Sequence, residues 1–167
     1  LDALEQALAG SLVLLQASCH NPTGADPDRS QWRAILECVA KRRLVPFLDI
    51  AYQGLGDDLD ADAWSIREAA RLVPEMLVAV SCSKSFGLYR ERTGALIVLG
   101  GDAGRARAIE NQANRAARAM YSMPPGHGAL IAERILGDAA LAARWRAELA
   151  AMAARLRALR AAFVAAA

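Results

Sequence analysis

Apolar residues come in two rhythms along this chain. Four short runs, Leu12 to Ala17, Val45 to Ile50, Leu77 to Ser81 and Gly94 to Leu99, are nearly unbroken and bounded by polar turns, the pattern of strands buried on both faces. Elsewhere the spacing lengthens to three and four. Trp32, Ile35, Leu36 and Val39 share one helical face, with Asp26 expected as the cap, Pro27 in the first turn, and Arg42 and Arg43 suited to the C-terminal end. Asp60 to Leu72 reads as a second helix and Asp102 to about Met120 as a third. The Pro124-Pro125-Gly126 break separates a fourth, and Gly137 precedes the last. In that last segment Leu141, Trp145, Leu149, Met152, Leu156, Leu159 and Phe163 recur as one stripe, with Arg144, Arg146, Arg155 and Arg157 off it. Acids at Asp138 and Glu148 favour packing on protein over lying on a membrane. Alternating strands and helices of these lengths predict an α/β fold, a three-layer αβα arrangement with a mostly parallel sheet that ends in a long helix. Ligands of such sheets bind at the carboxyl ends of the strands.

Composition narrows the partners. The 167 residues suffice for one domain with a real core. A net charge of +2, with basic residues spread along the chain, argues against nucleic acid or a membrane surface as a partner. Cys19, Cys38 and Cys82 are odd in number and widely spaced, which fits reduced thiols in a cytoplasmic protein. Cys19-His20 lacks a second pair at zinc-ligand spacing, so no metal is expected. No apolar run is long enough to cross a bilayer, and LDALEQALAG is not the basic start of a signal peptide. The chain starts at Leu1 without an initiator Met and stops at Ala167, both within helical patterns, so it is expected to be a piece of something longer.

Chemistry concentrates around one amine. Of the 20 basic residues, only Lys41 and Lys84 are lysines. Lys41 has a plain explanation at a solvated helix end beside two arginines. Lys84 follows an apolar strand and sits among small hydroxyl residues, and a lysine amine can condense with an aldehyde cofactor, as arginine cannot. Its position alone leaves a structural and a chemical role equally open. Ser81 and Ser83 add hydroxyls, and Arg92 adds a planar charged fork suited to phosphate. Asp49 closes the second strand at the same sheet edge, where alone it reads as a cap or loop carboxylate. Beside a lysine that bears a pyridine aldehyde, such a carboxylate would keep the ring nitrogen protonated.

The segments HNPTG (His20 to Gly24), DIAYQG (Asp49 to Gly54) and SCSKSFGLYRERTGA (Ser81 to Ala95) occur in that order, with 28 residues from Asn21 to Asp49 and 35 from Asp49 to Lys84. Together with RAMYSMPPGHGA (Arg118 to Ala129), they make nearly the whole chain resemble the class I, fold-type I pyridoxal-phosphate (PLP)-dependent aminotransferases, specifically the aspartate and aromatic amino acid subgroup. The resemblance implies that Lys84 binds PLP covalently and then shuttles the substrate's proton. It further implies that Asp49 pairs with the pyridine nitrogen, that Tyr52 and Asn21 hydrogen-bond the phenolic oxygen, and that Ser81 and Arg92 hold the phosphate, with Ser83 a weaker candidate. By the same resemblance Asn21 and Arg118 contact substrate, Arg118 by reaching into the other subunit's site, and the Asn21-Pro22 bond is cis.

Read without the resemblance, Tyr52 is a packed aromatic, Asn21 a turn residue and Arg118 a helix-surface cation. His20 is expected to be structural, orienting the turn. Residues 1–137 would belong to the PLP-binding large domain, and 138–167 would form a helix leading towards a small domain. The implied activity moves an amino group from an aspartate-like or aromatic L-amino acid to 2-oxoglutarate, in a homodimer with shared sites. The family's chain extends beyond both ends of this one, so the fragment alone is expected to be inactive. A cofactor-sensing domain of a transcription regulator, a degenerate structural remnant and other fold-type I reactions are the alternatives. Two positions depart from the family pattern. Gln16 stands where close relatives often carry a histidine behind the aspartate, which is expected to alter the network there, and Met123 replaces a smaller polar residue.

Overall fold

The computed structural model describes residues 1–166, so the last residue of the expected terminal helix, Ala167, lies outside the described residues. Four strands, β1 (Leu12–Gln16), β2 (Val45–Ile50), β3 (Glu75–Ser81) and β4 (Gly94–Gly100), form one sheet in the order β1-β2-β3-β4. The first three run parallel and β4 is antiparallel to β3. The largely parallel sheet is therefore as expected. The reversal at β4 follows from the 82–93 connection, which has no helix to carry a parallel crossover.

Short α1 (Asp2–Gln6) precedes β1, α2 (Arg29–Lys41) joins β1 to β2, and α3 (Leu59–Asp62) with α4 (Trp64–Leu72) joins β2 to β3. The α2 and α4 helices cover one face, where Trp32, Leu36 and Val39 pack with Leu48, Ile50, Met76 and Val78 in a buried core. On the opposite face, Leu96 and Val98 of β4 line a groove with Ala106, Ala113 and Ala117 of α5 (Ala103–Tyr121), giving helices on both sides of the sheet. Leu12 and Leu14 of β1 point to that side and are 56% and 67% exposed. Two further helices, α6 (His127–Gly137) and α7 (Ala139–Ala166), pack against each other.

Several local expectations change. Asp28, not Asp26, caps α2, accepting from the amides of Ser30 and Gln31 while the Gln31 side chain accepts from the Asp28 amide. That reciprocal pair satisfies amides a helix start leaves free. Asp26 instead accepts from the amides of Cys19 and His20, at 2.7 and 2.8 Å. The expected helix over 60–72 is two helices meeting at Ala63, the first capped by Asp58. In α7 the buried positions are Ala142, Leu149 and Ala153, whereas Met152, Leu156, Leu159 and Phe163 of the expected stripe are exposed. Of the expected stripe, Trp145 and Leu149 meet the body of the protein, and the buried alanines Ala142 and Ala153 are the further small residues on α7.

Candidate active site

Because β1, β2 and β3 are parallel, their carboxyl ends lie along one sheet edge, and β4 starts at the same edge through the pairing of Ser81 with Gly94. The loops after the strands therefore bring Asn21, Tyr52 and the 82–93 segment together, the location at which parallel sheets place ligands. Asp49 is the last residue but one of β2 and pairs laterally with Gln16 on one side and Ala79 on the other.

Three of the expected residues meet directly. The Lys84 Nζ lies 4.8 Å from the centroid of the Tyr52 ring, over its face, and Asn21 Nδ2 donates to Tyr52 Oη at 3.4 Å. The Asn21-Pro22 bond is cis. Lys84 sits in a turn spanning 83–86, closed by donation from Phe86 N to Cys82 O and from Gly87 N to Lys84 O, with Gly87 at a φ of 66°. Ser83 and Ser85 on either side are buried. Ser81 Oγ accepts from the Ser83 amide at 3.1 Å. Arg92 has a left-handed φ of 51°, and its guanidinium donates to Tyr89 O within the same loop. Arg118 is elsewhere, exposed on α5 beside Asn111, Asn114 and Arg115.

His20 holds its turn as expected: its ring Nδ1 is 2.7 Å from Thr23 Oγ1, and its carbonyl accepts from Gly24 N. Gln16 engages the same turn. Its Oε1 accepts from Asn21 N at 2.6 Å and its Nε2 donates to Asn21 O at 3.3 Å, so both ends of the amide grip the backbone of Asn21. Gln16, the register partner of Asp49, thus clamps the backbone of the cis-peptide turn.

The loop after Tyr52 has its own anchor. Asp62 is buried, and its carboxylate accepts from the amides of Gly54, Gly56 and Asp57 at 2.7, 3.0 and 3.0 Å. Burial raises the thiol pKa of Cys19, helped by the nearby charges of Asp62 and Asp26, and burial likewise raises that of Cys82. Both thiols are thereby kept protonated near neutral pH.

Residues 1–166 match the family described as aminotransferase class I and II. The chain belongs to that family. An aromatic-amino-acid aminotransferase of Pseudomonas aeruginosa is 46% identical over 99% of this chain and 42% of its own length. The aspartate aminotransferase of Escherichia coli K12 is 40% identical over 98% of this chain and 41% of its own. Among solved structures, the aromatic-amino-acid aminotransferase of Burkholderia pseudomallei, covalently bound to pyridoxal phosphate, superposes with a TM-score of 0.93 at 45% identity, over 95% of this chain and 40% of that one. The chain thus spans about two-fifths of the length of the relatives it matches.

The donor set fits pyridoxal phosphate. An amine for its aldehyde lies against a phenol and an amide suited to its phenolic oxygen, and a carboxylate lies at the same sheet edge. A hydroxyl and a guanidinium follow on the strand end and loop beside the amine.

Proposed function

We propose that this protein is a PLP-dependent aminotransferase that moves the amino group of an aspartate-like or aromatic L-amino acid to 2-oxoglutarate. The observation that carries the reading is the Asn21–Tyr52–Lys84 arrangement at the carboxyl edge of the parallel strands. Pyridoxal phosphate, when bound, supplies a ring that accepts electrons from the substrate's α carbon. Lys84 would hold the aldehyde and, as a free amine, would carry the proton to and from that carbon. The Asp49 carboxylate holds the pyridine nitrogen protonated, while Tyr52 Oη and Asn21 Nδ2 orient the phenolic oxygen. Ser81 Oγ and Arg92 hold the phosphate, with Ser83 in support.

In this reading Arg118 serves the partner subunit of a homodimer by binding the side-chain carboxylate of its substrate. Support comes from α5, which presents Arg118 on a helix with no buried residue. Residues 1–137 form part of the cofactor-binding large domain, and the segment from 138 leads towards a small domain. A cytoplasmic setting agrees with the three free thiols.

The test is borohydride reduction of the PLP-loaded protein, followed by peptide mapping. The expected tag is on the peptide carrying Lys84, and Lys84→Ala abolishes it. A tag on any other residue overturns the assignment.

A further inference from the structure

One face of α7 touches both loops that carry the candidate site. Trp145, Leu149, Ala153 and Arg157 are spaced by four and so line up along the helix. Trp145 Nε1 donates to the Ser85 carbonyl at 2.8 Å, and its ring stacks on Phe86 with centroids 4.5 Å apart and planes at 15°. Leu149, 1% exposed, packs against Gly54, and Arg157 donates to the carbonyl of Gly56 at 2.9 Å. The helix therefore grips the turn holding Lys84 at one point and the loop following Tyr52 at two others.

The grip at Ser85 matters most for the amine. The carbonyls of Cys82 and Lys84 are already used inside the 83–86 turn, whereas that of Ser85 is taken from outside by the indole. With Phe86 stacked on the same ring, the turn has a hydrogen bond and an aromatic contact to one side chain 60 residues away in the chain. If the turn rocked, the Lys84 amine would move off the Tyr52 ring it now faces.

We propose that Trp145 is a positioning residue, which holds the Lys84 turn at the height needed for the amine to meet the cofactor aldehyde. This rests on the reading of Lys84 as the cofactor-bearing amine. It extends that reading to a residue more than 50 positions downstream on another element.

The experiment uses the intact, cofactor-loaded protein and three variants: Trp145→Phe, which keeps a ring for the stack and removes the N–H; Phe86→Leu, which removes the stack from the other side; and Val39→Ala, a core change in α2 that lowers stability away from the site. Two quantities are read, PLP dissociation and the midpoint pH of the visible absorbance band. Trp145→Phe should weaken PLP retention by about 2- to 10-fold and displace the midpoint by roughly half a unit or more, while Val39→Ala moves neither. Phe86→Leu should act in the same direction and replaces Trp145→Phe if that variant does not fold. Wild-type values in Trp145→Phe, or equal displacement by Val39→Ala, overturn the proposal. Borohydride mapping of the unaltered protein separates the two ideas. A tag away from Lys84 defeats the underlying reading and the proposal with it, whereas a tag on Lys84 with unmoved variants defeats the role of Trp145 alone.

Discussion

Replacing Asp62 by asparagine tests how the Tyr52 loop is held. The carboxylate is buried and receives three backbone amides, two on Oδ2 from Gly54 and Gly56 and one on Oδ1 from Asp57. A hydrogen bond to a charged acceptor is worth about 1.5–3 kcal/mol and one between neutral groups about 0.5–1.5 kcal/mol. Asparagine can keep two of the three as neutral bonds, but its NH2 then faces the Asp57 amide, donor against donor. Losing one charged bond and weakening two by about 1 kcal/mol each gives a destabilisation of about 3.5–5 kcal/mol. That is a large part of the ~5–15 kcal/mol available to a typical domain. With a urea slope of about 2 kcal/mol/M, the unfolding midpoint should fall by roughly 1.8–2.5 M. A fall of less than about 0.5 M, equivalent to ~1 kcal/mol, would show that the loop does not depend on this carboxylate.

Three further outcomes follow from the same geometry. Gln16→Ala should leave global stability within about 1 kcal/mol, because its bonds to Asn21 are solvent-exposed, yet weaken PLP binding several-fold by freeing the turn; equilibrium dialysis against PLP measures this, and unchanged affinity would remove Gln16 from the positioning set. Gly54→Ala puts a methyl at a φ of 87° against Leu149 and Leu59, so strain and overpacking together should cost about 2–4 kcal/mol in denaturant unfolding. Asp28 has its pKa lowered by hydrogen bonds from the Ser30 side chain and the Gln31 amide, so its contribution is complete above the unfolded value and disappears as pH falls through the folded one. The stability of Asp28→Asn should therefore fall less steeply than wild type below pH about 4, and parallel acid-unfolding curves would contradict this.

Much of the fold can be read from the runs themselves. The apolar runs at 12–17, 45–50, 77–81 and 94–99 mark all four strands to within two residues, because a buried parallel strand has no polar face to interrupt it. Strand direction is another matter, since the run at 94–99 has the same composition whichever way it lies. The signal that distinguishes it is the preceding segment, which lacks a helical apolar period. The cap at Asp28 was also legible, through Gln31 three residues on, but Pro27 drew attention to Asp26. The α7 stripe was legible at Trp145 and Leu149, but its other large members are exposed, while the buried Ala142 and Ala153 carry no signal in an argument that weighs large side chains.

At the site, Asn21, Tyr52 and Lys84 were visible as motif residues, and the structure brings those three together. What holds them was legible only in part: Gln16 and Trp145 stood out in the sequence but not for these contacts, and Asp62 was unmarked, because all three act on backbone atoms, of Asn21, of Ser85 and of the 54–57 loop, which leave no mark on composition. Arg118, read from the same motif, lies on α5, apart from the Asn21–Tyr52–Lys84 group.

The return of β4 alongside β3 makes residues 82–93 a closed excursion whose two feet, Ser81 and Gly94, share one rung of the ladder, with Cys82 N donating to Thr93 O just past that pair. Lengthening or shortening this excursion would change the span between the amine and the guanidinium while the ladder beneath kept its alignment. Reaction geometry in this architecture can therefore drift by insertion and deletion in a single exchangeable stretch, without renegotiating how the sheet is assembled.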